Sequence, residues 1–180
     1  MTQPSLDWPY PIKYGTLSEV DSDILIIGGG LAGLTAAITS VKKGLKVVLV
    51  DKGGSKYSGK AGSGIDHYHD CPNPASPVTA QELTASRIKS SKGYINAIQK
   101  YITAKEGYDV LLELESYGAK VRDTQNSFTG AAFRDEKTKL LFSNDYVNRY
   151  ILLVWGKTFK PALYKELKRT DVKLYERVMT

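Results

Sequence analysis

Ile24-Leu25-Ile26-Ile27, entered from Asp23, is a short unbroken apolar run that stops at Gly28-Gly29-Gly30. A run without polar alternation predicts a buried strand of a parallel sheet. Past the glycines, Leu34, Ala37, Ile38 and Val41 recur on one stripe, which predicts a helix over Leu31 to Lys43. Gly44 stands where such a helix ends in the left-handed conformation. Leu45 to Val50, β-branched at Val47, Val48 and Val50, predicts a second strand that runs into Asp51-Lys52-Gly53. Strand, helix and strand follow one another within about 30 residues, and the crossover is expected to be right-handed.

The pattern then changes. Residues 53–79 are rich in Gly, Ser, Pro and charge. A loop of that length inside a compact domain usually serves function. Thr79 predicts a helix N-cap, with Glu82 three residues on completing a capping box, and the helix runs to about residue 91. A second helical stretch, Tyr94 to Tyr117, carries Ile95, Ile98, Ile102, Val110, Leu111 and Leu114. Gly107 is its expected break and Gly118 its end. Tyr94, Tyr101, Tyr108 and Tyr117 fall on this stretch and read as the edge of a core. Residues 119–150 read as irregular structure with short strands in AKVRD, SFTGAAF and KLLFS. A strand from Tyr150 to Trp155, a turn from Gly156 to Pro161, a basic helix from Ala162 to Arg169 and a strand from Val172 to Val178 complete the chain. Residues 1–20 read as an N-terminal arm, broken by Pro4, Pro9 and Pro11, with Trp8, Tyr10 and Tyr14 as its expected packing anchors.

Composition adds limits. Hydrophobic residues make up 42% of the 180 and charged residues 24%, which is ordinary for a globular chain. The single cysteine, Cys71, excludes an internal disulfide, a four-cysteine zinc site and an iron–sulfur cluster held by this chain alone. No apolar run approaches the roughly 20 residues of a bilayer span, and MTQPSLDWPYPIKYG has no apolar core of a signal peptide. The expectation is a soluble protein of a reducing compartment, the cytoplasm. The net charge of +6 suits an anionic ligand or an acidic partner. The basic residues are scattered, apart from Lys157, Lys160, Lys165, Lys168 and Arg169, so nucleic-acid binding is not expected.

Candidate chemistry lies in Gly28-x-Gly30-x-x-Gly33. Gly28 permits the tight turn out of the strand, Gly30 lets a diphosphate approach the backbone, and Gly33 lets the helix pack on the strand. Exposed amides and the helix dipole then favour an anion. Asp51, 23 positions after Gly28, ends the second strand where a ribose-binding carboxylate is expected, and it would repel a 2′-phosphate. The predicted fold class is therefore α/β, a Rossmann-like FAD/NAD(P)-binding domain with a parallel sheet and flanking helices. FAD is favoured over NAD by Ser58 to Gly64 (SGKAGSG), a second glycine-rich segment able to lie along a diphosphate and reach a flavin ring. An NAD-dependent dehydrogenase and a non-catalytic nucleotide-binding remnant stay open as alternatives. Asp66-His67-Tyr68-His69-Asp70-Cys71 reads as a polar loop near the flavin, and no Gly-x-Ser-x-Gly elbow supports a hydrolase.

The segments 23–53, 58–68 and 156–180 together resemble the N-terminal part of the FAD-dependent fumarate reductase and succinate dehydrogenase flavoproteins, nearest to the adenylylsulfate reductase alpha-subunit branch. The resemblance implies an oxidoreductase that moves a hydride or electrons between FAD and a small anionic substrate, with a possible iron–sulfur partner subunit. It implies that Gly28, Gly30, Leu31, Ala32 and Gly33 hold the FAD diphosphate. Asp51 would bind the adenosine ribose with Lys52 beside it, and Ser58 and Gly59 would contact the diphosphate side. Gly62, Ser63 and Gly64 would sit by the isoalloxazine, and Val178 would present its backbone to the adenine. Tyr57 stands near the position where relatives with covalent flavin carry histidine, so the FAD is expected to be non-covalent. Relatives usually have glutamate where this chain has Asp51. They are also several hundred residues long. The capping domain with its substrate clamp and proton-donating arginine has no counterpart here, so residues 21–180 are expected to be a FAD-binding domain incomplete at its C-terminus. A fragment, a truncated product and one piece of a split subunit all fit.

Overall fold

The computed structural model describes residues 18–179. The anchors expected of the arm, Trp8, Tyr10 and Tyr14, lie outside the described residues. Six strands and four helices run in the order β1 (Ile24–Ile27), α1 (Leu31–Lys42), β2 (Val47–Asp51), β3 (His67–Tyr68), α2 (Ala80–Ser90), α3 (Ala97–Ser116), β4 (Leu141–Phe142), β5 (Leu152–Leu153), α4 (Phe159–Leu167) and β6 (Lys173–Glu176). They form two small sheets. One is parallel, in the order β1-β2-β6, with Ile24 opposite Val47 and Asp51 opposite Glu176. The other is antiparallel, in the order β3-β5-β4.

The predicted strand–helix–strand unit is present. Val47, Val48 and Leu49 are buried in the central strand, and Leu34, Ala37 and Ile38 bury the inner stripe of α1. Gly44, at φ +83°, turns the chain between them. The first strand is not buried on both faces as its apolar run suggested. Ile26 packs on the core while Leu25 and Ile27 are 57% and 66% exposed. Alternation is geometric in a strand, and only the side facing α1 is covered among the described residues.

The Thr79–Glu82 capping box forms as predicted. Gly107, in contrast, does not break α3. It is buried, and a Cβ there would meet Tyr68 Cε1 at 3.5 Å and Cys71 Sγ at 3.8 Å. The buried stripe of α3 is Ala104, Gly107, Leu111 and Leu114, so Ile98, Ile102 and Val110 face outward, Ile98 at 75% exposure. Small residues let the helix approach the loop closely, and that approach outweighs the larger residues a quarter-turn away.

AKVRD is irregular, with a bend at Arg122, SFTGAAF forms turns, and only KLLFS yields a strand, β4. In SFTGAAF a buried ion pair, Asp123 with Arg134, accounts for this. Asp123 accepts from the amides of Ser127 (2.9 Å) and Phe128 (3.0 Å) and from Arg134 Nε at 3.0 Å, so backbone donors are spent on a carboxylate. The last helix starts at Phe159, ahead of the expected Ala162, because Pro161 in a first turn removes an amide that needs no helical partner.

Asp70 ties the central loop to α2 and α3. It accepts from Arg87 Nη2 (2.6 Å) on α2 and from Lys100 Nζ (2.8 Å) on α3. Burial alone would push its carboxyl up, but the hydrogen bonds from Lys100 and Arg87 and their charges hold it below the ordinary value of 3.8. A pKa lowered in the folded state stabilises fully above the unfolded value and is lost as pH falls through the folded one. Asp70→Asn is therefore expected to lower the melting temperature by several degrees at neutral pH, with the gap to wild type closing as pH falls through the folded pKa, which lies below 3.8. Thermal melts across this range check it; a gap of constant size would contradict the linkage.

Candidate dinucleotide site

The turn between β1 and α1 is built from inside. Gly28 sits at φ +105°, and its amide donates to Val50 O at 2.8 Å, closing the end of the strand. A Cβ on Gly33 would lie 1.8 Å from Gly28 O, so the helix packs directly on the turn. Gly30 is the N-cap of α1, with no side-chain cap and no acidic residue in the first turn. The start of α1 thus offers backbone amides and a dipole to an anion without competition from its own side chains.

A cleft of about 290 Å³ opens here, lined by Gly28, Gly30, Asp51, Lys52, Ser58 and Gly59 among others. At Gly28, Gly30 and Gly59 a Cβ would meet nothing within 4 Å, so three bare positions face open space around one cleft. Such a cradle accepts a diphosphate pressed against main chain, and side chains there would fill it. Asp51 holds the cradle in shape: Oδ2 accepts from the Gly29 amide, and Oδ1 accepts from the Gly53 amide at 2.6 Å. Each carboxylate oxygen keeps a lone pair for a ribose hydroxyl.

The other predicted residues lie around this cleft rather than in it. Leu31 and Ala32 line an apolar groove of about 720 Å³ between α1 and α3, along with Leu114 and Tyr117. Ser63 and Gly64 line a third recess with Trp155 and Lys157. The amides of Gly62 and Gly64 are spent within the segment, on Gly59 O (3.0 Å) and Ala61 O (3.2 Å). A Cβ on Gly62 would fall 1.6 Å from Tyr57 O, so its bareness serves a tight turn of the chain itself. Val178 lies beyond β6, which stops at Glu176, and its amide donates to Asp51 O at 3.0 Å.

Several residues at the site escaped sequence reasoning. Gly29 matters as much as its neighbours: a Cβ there would sit 2.4 Å from Ser55 Oγ. Ser55 is fully buried, and its amide donates to Glu176 Oε1 at 2.6 Å, joining the loop to β6. Its hydroxyl has no hydrogen-bond partner among the described residues. Lys160 also lines the cleft and is buried, although a lysine is among the residues least often found inside. Only the Lys-Pro pair at a helix start marked it in the sequence.

His67 and Cys71 have structural settings. His67 Nδ1 lies 2.8 Å from Asp66 Oδ1 and Nε2 lies 2.7 Å from Ser143 Oγ, bridging β3 to the end of β4. The hydrogen bond from His67 holds the Asp66 carboxyl below its usual range. Burial pushes the Cys71 thiol up to about 12, which removes it as a nucleophile.

A parallel β–α–β unit with an uncapped helix start over a glycine-walled cleft defines a dinucleotide-binding protein of the α/β class. Comparison with known families narrows this further. Residues 23–180 match the FAD binding domain, and the chain belongs to that family, whose cofactor is FAD. It is 28% identical over 103 residues to L-aspartate oxidase of Mycobacterium leprae, covering 55% of this chain and 19% of that protein. Its fold is similar to adenylylsulfate reductase from Archaeoglobus fulgidus, with TM-score 0.69 and 22% identity over 89% of this chain and 24% of the other. It is also similar to a flavocytochrome c3 fumarate reductase, with TM-score 0.64 and 18% identity over 87% of this chain and 26% of the other. The chain thus spans about a quarter or less of these proteins. These findings agree with the flavoprotein reading and lend no support to the nicotinamide alternative. No helix among the described residues is long and apolar enough to cross a membrane.

Proposed function

We propose that residues 21–180 are the FAD-binding portion of a FAD-dependent oxidoreductase of the fumarate reductase and succinate dehydrogenase type, acting in the cytoplasm. The observation that carries this reading is the trio of bare glycines around one cleft at the start of α1. Gly28, Gly30 and Gly59, with the first amides of α1, receive the diphosphate. Asp51 accepts from the ribose, and Lys52 and Ser58 flank it. Val178 offers its carbonyl toward the adenine, since its amide is engaged. Leu31 and Ala32 continue the wall past the diphosphate, and Gly33 keeps the helix in place. Gly62, Ser63 and Gly64 shape the flavin end through their close turn.

Bound FAD supplies the two-electron chemistry, and the protein binds, orients and shields it. A small anionic substrate suits the net charge of +6, and an iron–sulfur partner subunit would have to bring its own cluster ligands. Tyr57 is 63% exposed and offers no imidazole for attachment, which supports non-covalent flavin.

The test is direct. Full-length protein is expected to be yellow and to release intact FAD into solution on denaturation. A colourless protein whose melting temperature rises with NAD but not with FAD would defeat the proposal.

A further inference from the structure

Lys160 lies at the start of α4, 1% exposed, next to the buried Phe159, Ala162 and Leu163. A buried ammonium is unfavourable unless it is hydrogen-bonded and paired with opposite charge. Its hydrogen bond among the described residues runs to the main-chain oxygen of Ser58 at 2.5 Å, which uses one of three N–H donors. The carboxylates of Asp51 and Glu176 act on it at longer range. The same side chain lines the cleft whose other walls are Gly28, Gly30, Asp51 and Gly59. A buried cation with one donor engaged among the described residues thus belongs to a residue that walls the cavity three bare glycines leave open.

We propose that Lys160 is the cationic anchor of the dinucleotide diphosphate, reaching it from below the Ser58–Gly59 loop while Gly30 and the start of α1 receive it from the opposite side. The inference rests on the FAD-binding reading and adds to it a residue and a charge. Lys52 also lines the cleft but is exposed, so water and salt screen it. Lys160 is out of water, and its attraction for a phosphate is correspondingly stronger. The bond to Ser58 O aims the ammonium and fixes the loop in the same act. A bound diphosphate would supply opposite charge in direct contact with the ammonium, which makes no salt bridge among the described residues and feels Asp51 and Glu176 only at longer range.

The rival role is a tie that only holds the loop. Lys160→Gln separates the two, because glutamine keeps a donor for Ser58 O and drops the charge, whereas Lys160→Arg keeps the charge. Binding of FAD, ADP and adenosine to the full chain is measured by calorimetry, with folding checked by thermal melts of the ligand-free protein. Lys160→Gln is expected to weaken FAD and ADP about 30-fold or more and adenosine less than about twofold, with Lys160→Arg close to wild type for all three. The salt dependence of ADP binding should flatten in the glutamine variant. Unchanged FAD affinity, or equal losses for ADP and adenosine, would overturn the anchor. Should the glutamine variant not fold, Lys160→Met removes the tie and the charge together, and the split between ligands decides: a loss for FAD and ADP that adenosine does not share supports the anchor, and equal losses overturn it. Wild-type protein that binds neither FAD nor ADP would defeat the functional reading itself, and the anchor with it.

Discussion

Gly33→Ala is expected to unseat α1 and cost the protein its FAD. In an open helix the change from glycine to alanine gains up to about 1 kcal/mol from backbone propensity. Here the new methyl would lie 1.8 Å from Gly28 O, far inside contact distance, and the obstacle is backbone rather than a flexible side chain. Overpacking of this kind costs about 3 kcal/mol, so steric conflict outweighs propensity. The net of about 2 kcal/mol is, for a chain of this size, a fall in melting temperature of about 4–8 °C. The helix must also move off the turn that positions Gly28 and Gly30, so FAD affinity should drop about 100-fold or more. Thermal melts and fluorescence titration read both effects. A melting temperature above wild type would mean that α1 does not rest on the strand end at all.

The second large effect has the opposite signature. At Gly30 a Cβ meets nothing within 4 Å, and the backbone is extended at φ −72°, ψ −176°, so a larger residue fits without strain. Gly30→Glu should therefore fold normally, with a melting temperature within about 2 °C of wild type. Its carboxylate would stand in the cleft where the diphosphate is to lie. Like charges placed together in a binding site cost several kcal/mol, and each 1.4 kcal/mol is about tenfold, so FAD binding should fall by about 100-fold or more. Together the two variants separate what holds the fold from what admits the ligand. If Gly30→Glu kept its FAD, the diphosphate would have to lie elsewhere.

Much of this was legible along the chain, because the decisive signals are local. From Asp23 to Asp51, strand, glycines, helix and strand follow from periodicity and turn chemistry alone, and Thr79 with Glu82 announces its own helix end. The failures share a physical cause, in that each depends on what a distant segment does. Gly107 reads as a breaker until Tyr68 and Cys71, some 36 to 39 positions away, are found resting against it. The exposure of Ile98 and Val110 follows from the same contact. Leu25 and Ile27 look like core until the helices are seen to cover one face only. SFTGAAF has strand-like composition, but Asp123 claims the amides of its Ser127 and Phe128, and in AKVRD the Lys120 amide goes to Thr158 Oγ1, 38 positions on. In the site, the glycines and Asp51 were found from spacing, whereas Lys160, Ser55 and Glu176 are brought in by α4, the long loop and β6. Their roles exist only once the chain has returned to the first crossover.

Asp51 sets a limit on redesign. Its two oxygens are buttresses for the amides of Gly29 and Gly53 as well as acceptors on the cavity wall. A protein engineer who exchanges it for a neutral residue, hoping to admit a phosphorylated ribose, would at the same stroke remove the struts under the glycine turn. Altering cofactor preference in this chain therefore calls for new support beneath Gly29 before the carboxylate is taken away.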